Sequence, residues 1–274
     1  IRCWTIGDDK LDELFDQIIN NKITTIVLQF NYGFFNFNSF SYFIRKIYNH
    51  NIKIIIFLHS TIDPESDKTK RIKDLLDVLS LCHRILVHSP SDLNRLKDLG
   101  LVENVTLFPH GILSVNSNVL RNKKIRNKKN RFQFSTYGFC LPNKGFPELI
   151  KAISLLHKDG IKCGLTLYTA LYESELSGEL YNKLLELIIE LNLQKFVKIN
   201  PSFLSDEETI KRLSETDLVI YPYQSTNESA SGAVRQGISS LSDVAVTPLP
   251  IFDDVSGIVY KLPGCTPSLI ASGL

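Results

Sequence analysis

The chain contains no methionine and one tryptophan among its 274 residues. It opens Ile1-Arg2-Cys3-Trp4, without an initiator methionine, and we expect sequence to be missing before Ile1. No signal-peptide pattern is read at that start. No apolar run approaches the roughly 18 residues of a membrane-spanning helix; the run 52–58 is short and interrupted by Lys53. A formal net charge of +2 excludes a strong whole-molecule field for nucleic acid. The five cysteines (Cys3, Cys82, Cys140, Cys163 and Cys265) are odd in number and lack metal spacing, so reduced thiols in a cytoplasmic protein are expected. Zinc-ligand spacing is absent. So is the Gly-x-Gly-x-x-Gly fingerprint, which argues against a nicotinamide enzyme. There is no nucleophile elbow with its Ser-His-Asp partners. No Asp-x-Asp tripeptide is present to hold a metal–nucleotide complex. Neither a metal nor a bound cofactor is therefore expected.

What is present is an ordinary globular composition, 43% apolar, long enough for two domains. Apolar β-branched runs alternate with amphipathic stretches from end to end. The pattern predicts helices over 8–20, 37–48, 68–81 and 91–99, and strands over 23–30, 52–58, 84–88 and 105–108. Residues 114–130 break the rhythm with Asn, Lys and Arg. They read as a solvated basic linker, or as a basic face (Arg121 to Arg131) set against anionic lipid. Strands over 132–136, 165–168, 197–199, 218–221 and 244–246 follow, with helices over 147–156 and 180–191. A Ser205-x-x-Glu208 capping box opens another helix. The alternation predicts parallel α/β sheets in two domains, 1–113 and 131–274.

Four places carry candidate chemistry. The loop Gly138-Phe139-Cys140-Leu141-Pro142-Asn143-Lys144-Gly145 joins a strand to a helix. Its glycines permit close backbone approach and Lys144 offers a point charge, although an ordinary turn would read the same way. His59 and His110 each end a strand, and in open α/β sheets the carboxyl ends of strands face the ligand; each is equally readable as a structural histidine. Glu228 stands directly before the small residues Ser229-Ala230-Ser231-Gly232, expected to open a helix whose free amides favour an anion. A carboxylate there does not suit a phosphate, so its natural partner is a sugar hydroxyl. Arg235, two turns along, faces either phosphate or an exposed ion-pair partner. Asp253-Asp254 reads as loop or helix capping.

Together these segments resemble the family 4 glycosyltransferases, with two Rossmann-like domains facing each other across a cleft, the GT-B arrangement. The resemblance runs from Val87-His88-Ser89 and Val105-Thr106-Leu107-Phe108-Pro109-His110-Gly111-Ile112 through Gly138 to Gly145 and Pro147-Glu148-Leu149. It ends in Asp217 to Tyr223 and Glu228-Ser-Ala-Ser-Gly232. It implies that Lys144 holds the donor diphosphate, that Glu228 is the first acid of a Glu-x7-Glu motif, and that His59 approaches the transferred sugar. Gly138, Ser229, Ser231, Gly232, Arg235 and His110 are the further donor-binding candidates. Four departures stand out. Gln236 occupies the place of the second acid, and Phe139 the place of an arginine. A glycine-rich acceptor loop and a C-terminal crossover helix are not visible, as expected of a fragment.

The resemblance implies a retaining, metal-independent hexosyltransferase. It would take a nucleotide-diphosphate sugar as co-substrate and a glycan, lipid-linked or protein acceptor. The expected setting is bacterial surface polysaccharide assembly or protein glycosylation, in the cytoplasm or at the inner face of the membrane. Gln236 and Phe139 leave open a degenerate module that binds sugar or nucleotide and assists a partner transferase. A nucleotide-sugar epimerase is a third reading, matched less well by the Glu228 segment.

Overall fold

The computed structural model describes residues 4–5, 10–114 and 131–274. The stretch expected to be a basic linker therefore lies outside the described residues, apart from Ser114, and so does most of the Arg121 to Arg131 face. The described chain forms two compact units. Unit 1 runs up to His110 and also takes in Asn227–Ala230; unit 2 holds the rest.

Unit 1 contains α1 (Asp12–Asn20), β1 (Thr25–Phe30), α2 (Phe37–Asn49), β2 (Lys53–Leu58), α3 (Leu76–Leu79), β3 (Arg84–Val87), α4 (Pro90–Asp98) and β4 (Val105–Leu107). The sheet order is β1-β2-β3-β4, all parallel. Period-two alternation puts Ile54, Ile56 and Leu58 on the buried face, beside Ile85 and Val87. Phe40, Phe43, Ile44 and Ile47 of α2 recur at helical spacing in the same core. The expected helix 68–81 forms only over its middle, 72–79, as a 3-10 turn over Ile72–Leu75 leading into the single turn α3. The cause is a polar network upstream. Asp63 accepts from Ile72 N at 2.8 Å and from Tyr32 Oη at 3.1 Å, and Lys70 Nζ donates to Tyr32 O at 2.8 Å. Those bonds hold residues 63–72 as an ordered loop.

Unit 2 contains β5 (Phe132–Tyr137), α5 (Phe146–Lys158), β6 (Cys163–Tyr168), α6 (Glu175–Glu190), β7 (Val197–Asn200), α7 (Asp206–Ser214), β8 (Leu218–Tyr221), α8 (Gly232–Ser239), β9 (Asp243–Val246), β10 (Tyr260–Lys261) and α9 (Pro267–Gly273). Its order is β10-β9-β8-β5-β6-β7, again all parallel. The chain thus starts in the middle of the sheet, winds out through β6 and β7, and returns to β8 on the other side of β5. Strands β8 and β9 are near-continuous apolar runs because both faces are covered. Asp217 ties the start of β8 to β5, accepting from Gln133 N through its carboxylate and donating its own N–H to Gln133 O, both at 2.7 Å. Ser205 caps α7 through Glu208 N, as its capping-box pattern indicates.

Candidate functional site

In a doubly wound sheet the connections leaving two neighbouring strands diverge where the winding reverses, and ligands bind outside the carboxyl ends at that point. In unit 2 the reversal lies between β5 and β8. The loop after β5 is 138–145 and the loop after β8 begins at Pro222. Topology and sequence motif therefore select the same two loops by independent arguments.

The two loops are locked together. Gly145, the N-cap of α5, has φ +77°, and a Cβ there would lie 1.7 Å from Pro222 O. Gln224 N donates to Asn143 O at 2.8 Å, and Asn143 is itself left-handed at φ 64°. Gln224 Nε2 donates to Pro222 O and to Cys265 O. Thr247, just past β9, donates its hydroxyl to Tyr223 O at 2.7 Å. On this rigid base Lys144, half-buried, holds its ammonium 4.0 Å from the centroid of the buried Tyr223 ring. A cation in that position is attracted by the ring quadrupole. The Gly138 amide is directed to Tyr168 O and the Cys140 amide to Ala170 O, so the front of the loop is tied to the end of β6.

The helix start differs from its expectation. α8 begins at Gly232, with Ser231 as N-cap accepting from Val234 N at 3.3 Å. Ser231 Oγ also lies 3.3 Å from Tyr223 Oη. Ser229 and Ala230 are not part of the helix: they group with unit 1, and Ser229 N donates to His59 O at 3.0 Å. That bond uses the Ser229 amide, which is therefore not open to an anion. Gly232 is exposed at the first helical position. Arg235 is also corrected. It is 4% exposed, donates through NH1 to Ser231 O at 2.9 Å, and forms a buried ion pair with Asp254. It pairs with Asp254 instead of facing outward; the Asp254 carboxylate is largely covered although the residue lies at the surface, and Asp254 is an ion-pair partner, not a cap.

Unit 1 gathers the remaining candidates. His59 and His110 follow β2 and β4, and His88 follows β3, so three imidazoles line the carboxyl edge. The His59–His88 and His88–His110 ring centroids are 5.3 and 5.2 Å apart. His59 Nε2 shares a hydrogen bond of 2.7 Å with Gln29 Oε1. Burial holds the His59 pKa below the ordinary histidine value, and His88 and then His110 add to that effect. Glu228 is exposed in the Asn227–Ala230 segment, which Ser60 also holds by donating to Asn227 O. Glu228 therefore stands beside the segment anchored to His59. Sequence reasoning passed over His88, although the strand-end logic that selected His59 and His110 applies equally to it.

A second feature was not anticipated. Phe139, Tyr172 and Phe203 sit on the loops after β5, β6 and β7, and all three are exposed, Phe203 by 74%. Phe139 meets Tyr172 edge-on at 5.6 Å and stacks with Phe203 at 6.3 Å. Gln236, half-buried on α8, donates through Nε2 to Asp206 Oδ1 at 2.7 Å. Among the described residues no group of three His, Cys, Asp or Glu side chains is arranged to hold a metal ion. Nor is any helix among them long and apolar enough to cross a membrane.

No protein-family model and no curated protein matches the sequence. Solved structures do. HepE from Anabaena, solved with UDP and glucose, superposes with a TM-score of 0.71 at 12% identity over 96% of this chain and 71% of its own. Sucrose-phosphate synthase from Thermosynechococcus elongatus gives 0.71 at 13%, covering 96% and 66%. The UDP-forming α,α-trehalose-phosphate synthase from Burkholderia xenovorans, with glucose-6-phosphate, gives 0.73 at 10%, covering 95% and 66%. This chain thus spans about two thirds of the length of such proteins. With two parallel α/β sheets matched over nearly its whole described length, the chain has the fold of the GT-B glycosyltransferases.

Proposed function

We propose that the chain is a nucleotide-sugar-dependent glycosyltransferase, in the manner of family 4, and that unit 2 binds the donor. The observation that carries this reading is the coincidence at the switch point: the 138–145 loop, with Lys144 fixed over Tyr223, stands where a doubly wound sheet binds its ligand. The diphosphate would lie against Lys144 and the exposed start of α8 at Gly232. The leaving diphosphate gains charge as the sugar departs, and a cation already held in place stabilises that charge without reorganisation. Exposed aromatics on the neighbouring loops offer the base a face on which to stack. The family resemblance assigns Glu228 to the sugar hydroxyls and His59, whose pKa burial lowers, to the reacting face.

The structural neighbours HepE and trehalose-phosphate synthase, solved with UDP and with glucose-6-phosphate, support a sugar nucleotide as donor and a sugar as acceptor. A retaining outcome, a hexosyl donor, metal independence, a glycan, lipid-linked or protein acceptor, and a cytoplasmic or inner-membrane setting belong to the same proposal and rest on the family resemblance. Donor hydrolysis and transfer by the protein, compared with Lys144→Ala and Glu228→Ala, test it; undiminished turnover in both variants refutes the site.

A second reading has specific support. Arg235 is paired with Asp254, Phe139 stands where the resemblance implies an arginine, and Gln236 is neutral. A site with Lys144 as its main cation suits a module that binds a nucleotide sugar without transferring it. Tight donor binding without turnover in the presence of varied sugar acceptors would favour that reading.

A further inference from the structure

One carboxylate at the carboxyl edge of unit 2 plays no part in the donor reading so far. Asp206 is the first residue of α7, which starts just beyond β7. Capping of that helix is done by Ser205, so the Asp206 carboxylate is not needed for it. Its Oδ1 instead accepts from Gln236 Nε2, one turn into α8, and fixes the carboxylate across two packed helices. Gln236 Oε1 is buried and has no hydrogen-bond partner. A buried acceptor without a donor is costly, and native structures seldom keep one.

The surroundings locate this pair. Tyr137, the last residue of β5, has its phenol pKa raised by burial, and Asp206 and Tyr223 both add to the rise, so the three side chains share one neighbourhood. Tyr223 also carries Lys144 on its ring. Phe203 lies three residues before Asp206 on the same loop, exposed and stacked on Phe139. In a nucleoside diphosphate the ribose joins base to diphosphate. With the base on Phe203 and the diphosphate at Lys144, the ribose would fall between them; Asp206 follows Phe203 on the same loop, and both Asp206 and Tyr223, the ring under Lys144, act on Tyr137.

We propose that Asp206, oriented by Gln236, is the residue that recognises the ribose hydroxyls of the donor nucleotide; this rests on the donor reading above. The chemistry is that of a diol meeting an oriented carboxylate. Each ribose hydroxyl is a donor, and an ionised carboxylate is an acceptor-only group with capacity beyond the one bond it makes to Gln236. A carboxylate in that role near the switch point is the general solution in doubly wound sheets. Here it comes from the start of α7, and the neutral residue on α8 serves to position it.

Calorimetry with UDP, GDP and ADP identifies the tightest ligand, which is then compared with its 2′-deoxy counterpart. The wild-type protein should prefer the ribonucleotide by roughly tenfold or more, the effect of a hydrogen bond to a charged acceptor. Asp206→Asn, which keeps the side-chain size and the acceptor for Gln236, should bind both forms alike with its melting temperature little changed. Glu207→Gln, at the adjacent acid, should keep the preference. If Asp206 only ties two helices together, Asp206→Asn, which keeps that bond, retains the ribose preference, and the proposal is overturned. Failure of the wild-type protein to bind any of the three nucleotides would overturn the donor reading itself, and this inference with it.

Discussion

Gly145→Ala perturbs the contact on which the 138–145 loop rests. The residue has φ +77°, and an added Cβ would sit 1.7 Å from the Pro222 carbonyl oxygen and 2.6 Å from its carbon. Both atoms are backbone, so no side chain can rotate away, and the separation is far inside the roughly 3.5 Å of ordinary contact. The left-handed conformation costs an alanine about 1–2 kcal/mol. Separating the loops weakens the Gln224 N to Asn143 O hydrogen bond, which contributes about 1 kcal/mol. Overpacking a tight contact adds about 1–3 kcal/mol. These terms overlap, so the expected loss is about 3–5 kcal/mol, read by urea titration. Lys144 should shift away from Tyr223 with the loop, and nucleotide affinity should fall in parallel. Gly178→Ala is the matched control: this glycine lies inside α6 with nothing within 4 Å of its added Cβ. It should stabilise the protein by about 0.5–1 kcal/mol. If Gly145→Ala cost less than about 1 kcal/mol and left nucleotide affinity intact, the close approach of the two loops would be refuted.

Asp254→Ala leaves the Arg235 guanidinium buried and uncompensated, and should cost about 3–5 kcal/mol by denaturant titration. By contrast, Glu208→Ala at the more exposed pair with Arg212 should cost less than about 1 kcal/mol. The folded pKa of His59 lies below its unfolded value of about 6.5, so the unfolded state binds the proton first. Its stabilising contribution is therefore complete above that pH and is lost as the pH falls toward the folded pKa. Urea titrations at stepped pH should show the loss on acidification, and His59→Gln should flatten it; an unchanged slope in the variant would show that His59 does not carry the effect. If the 121–131 stretch meets anionic lipid, sedimentation with phosphatidylserine vesicles should weaken as salt rises from about 0.1 to 1 M. Binding that ignores salt, or its absence, would leave the linker reading standing.

The fold was legible because alternation is written into the apolar pattern. Buried parallel strands such as Leu218–Tyr221 are near-continuous apolar runs between amphipathic helices, and the Ser205 cap is a local signal. Where expectation failed, distant groups had overridden local pattern. The start of helix 68–81 was held back to Ile72 by the Asp63–Tyr32–Lys70 network, whose Tyr32 lies 31 and 38 residues from its partners. The two-residue strand β10 has no periodicity to detect, and it forms because β9 offers it an edge. Within the candidate site, Gly145 and Lys144 could be read as residue types at a strand-to-helix turn. The roles of Arg235 and Ser229 could not be. Arg235 meets its partner 19 residues away, and the Ser229 amide meets a carbonyl 170 residues away, so only the folded chain shows that each is already engaged. The Phe139, Tyr172 and Phe203 cluster was hidden for the same reason, because three successive loops must converge before their aromatics touch.

The central claim is that the switch point of unit 2 holds a nucleoside diphosphate at Lys144. Titration calorimetry of the wild-type protein and of Lys144→Ala with UDP, GDP and ADP tests it most directly. The account predicts that the wild-type protein binds at least one of them and that the variant binds it roughly tenfold or more weakly, the effect of losing a charge-assisted contact to phosphate. Equal affinity in both proteins, or no binding by the wild type, would contradict it.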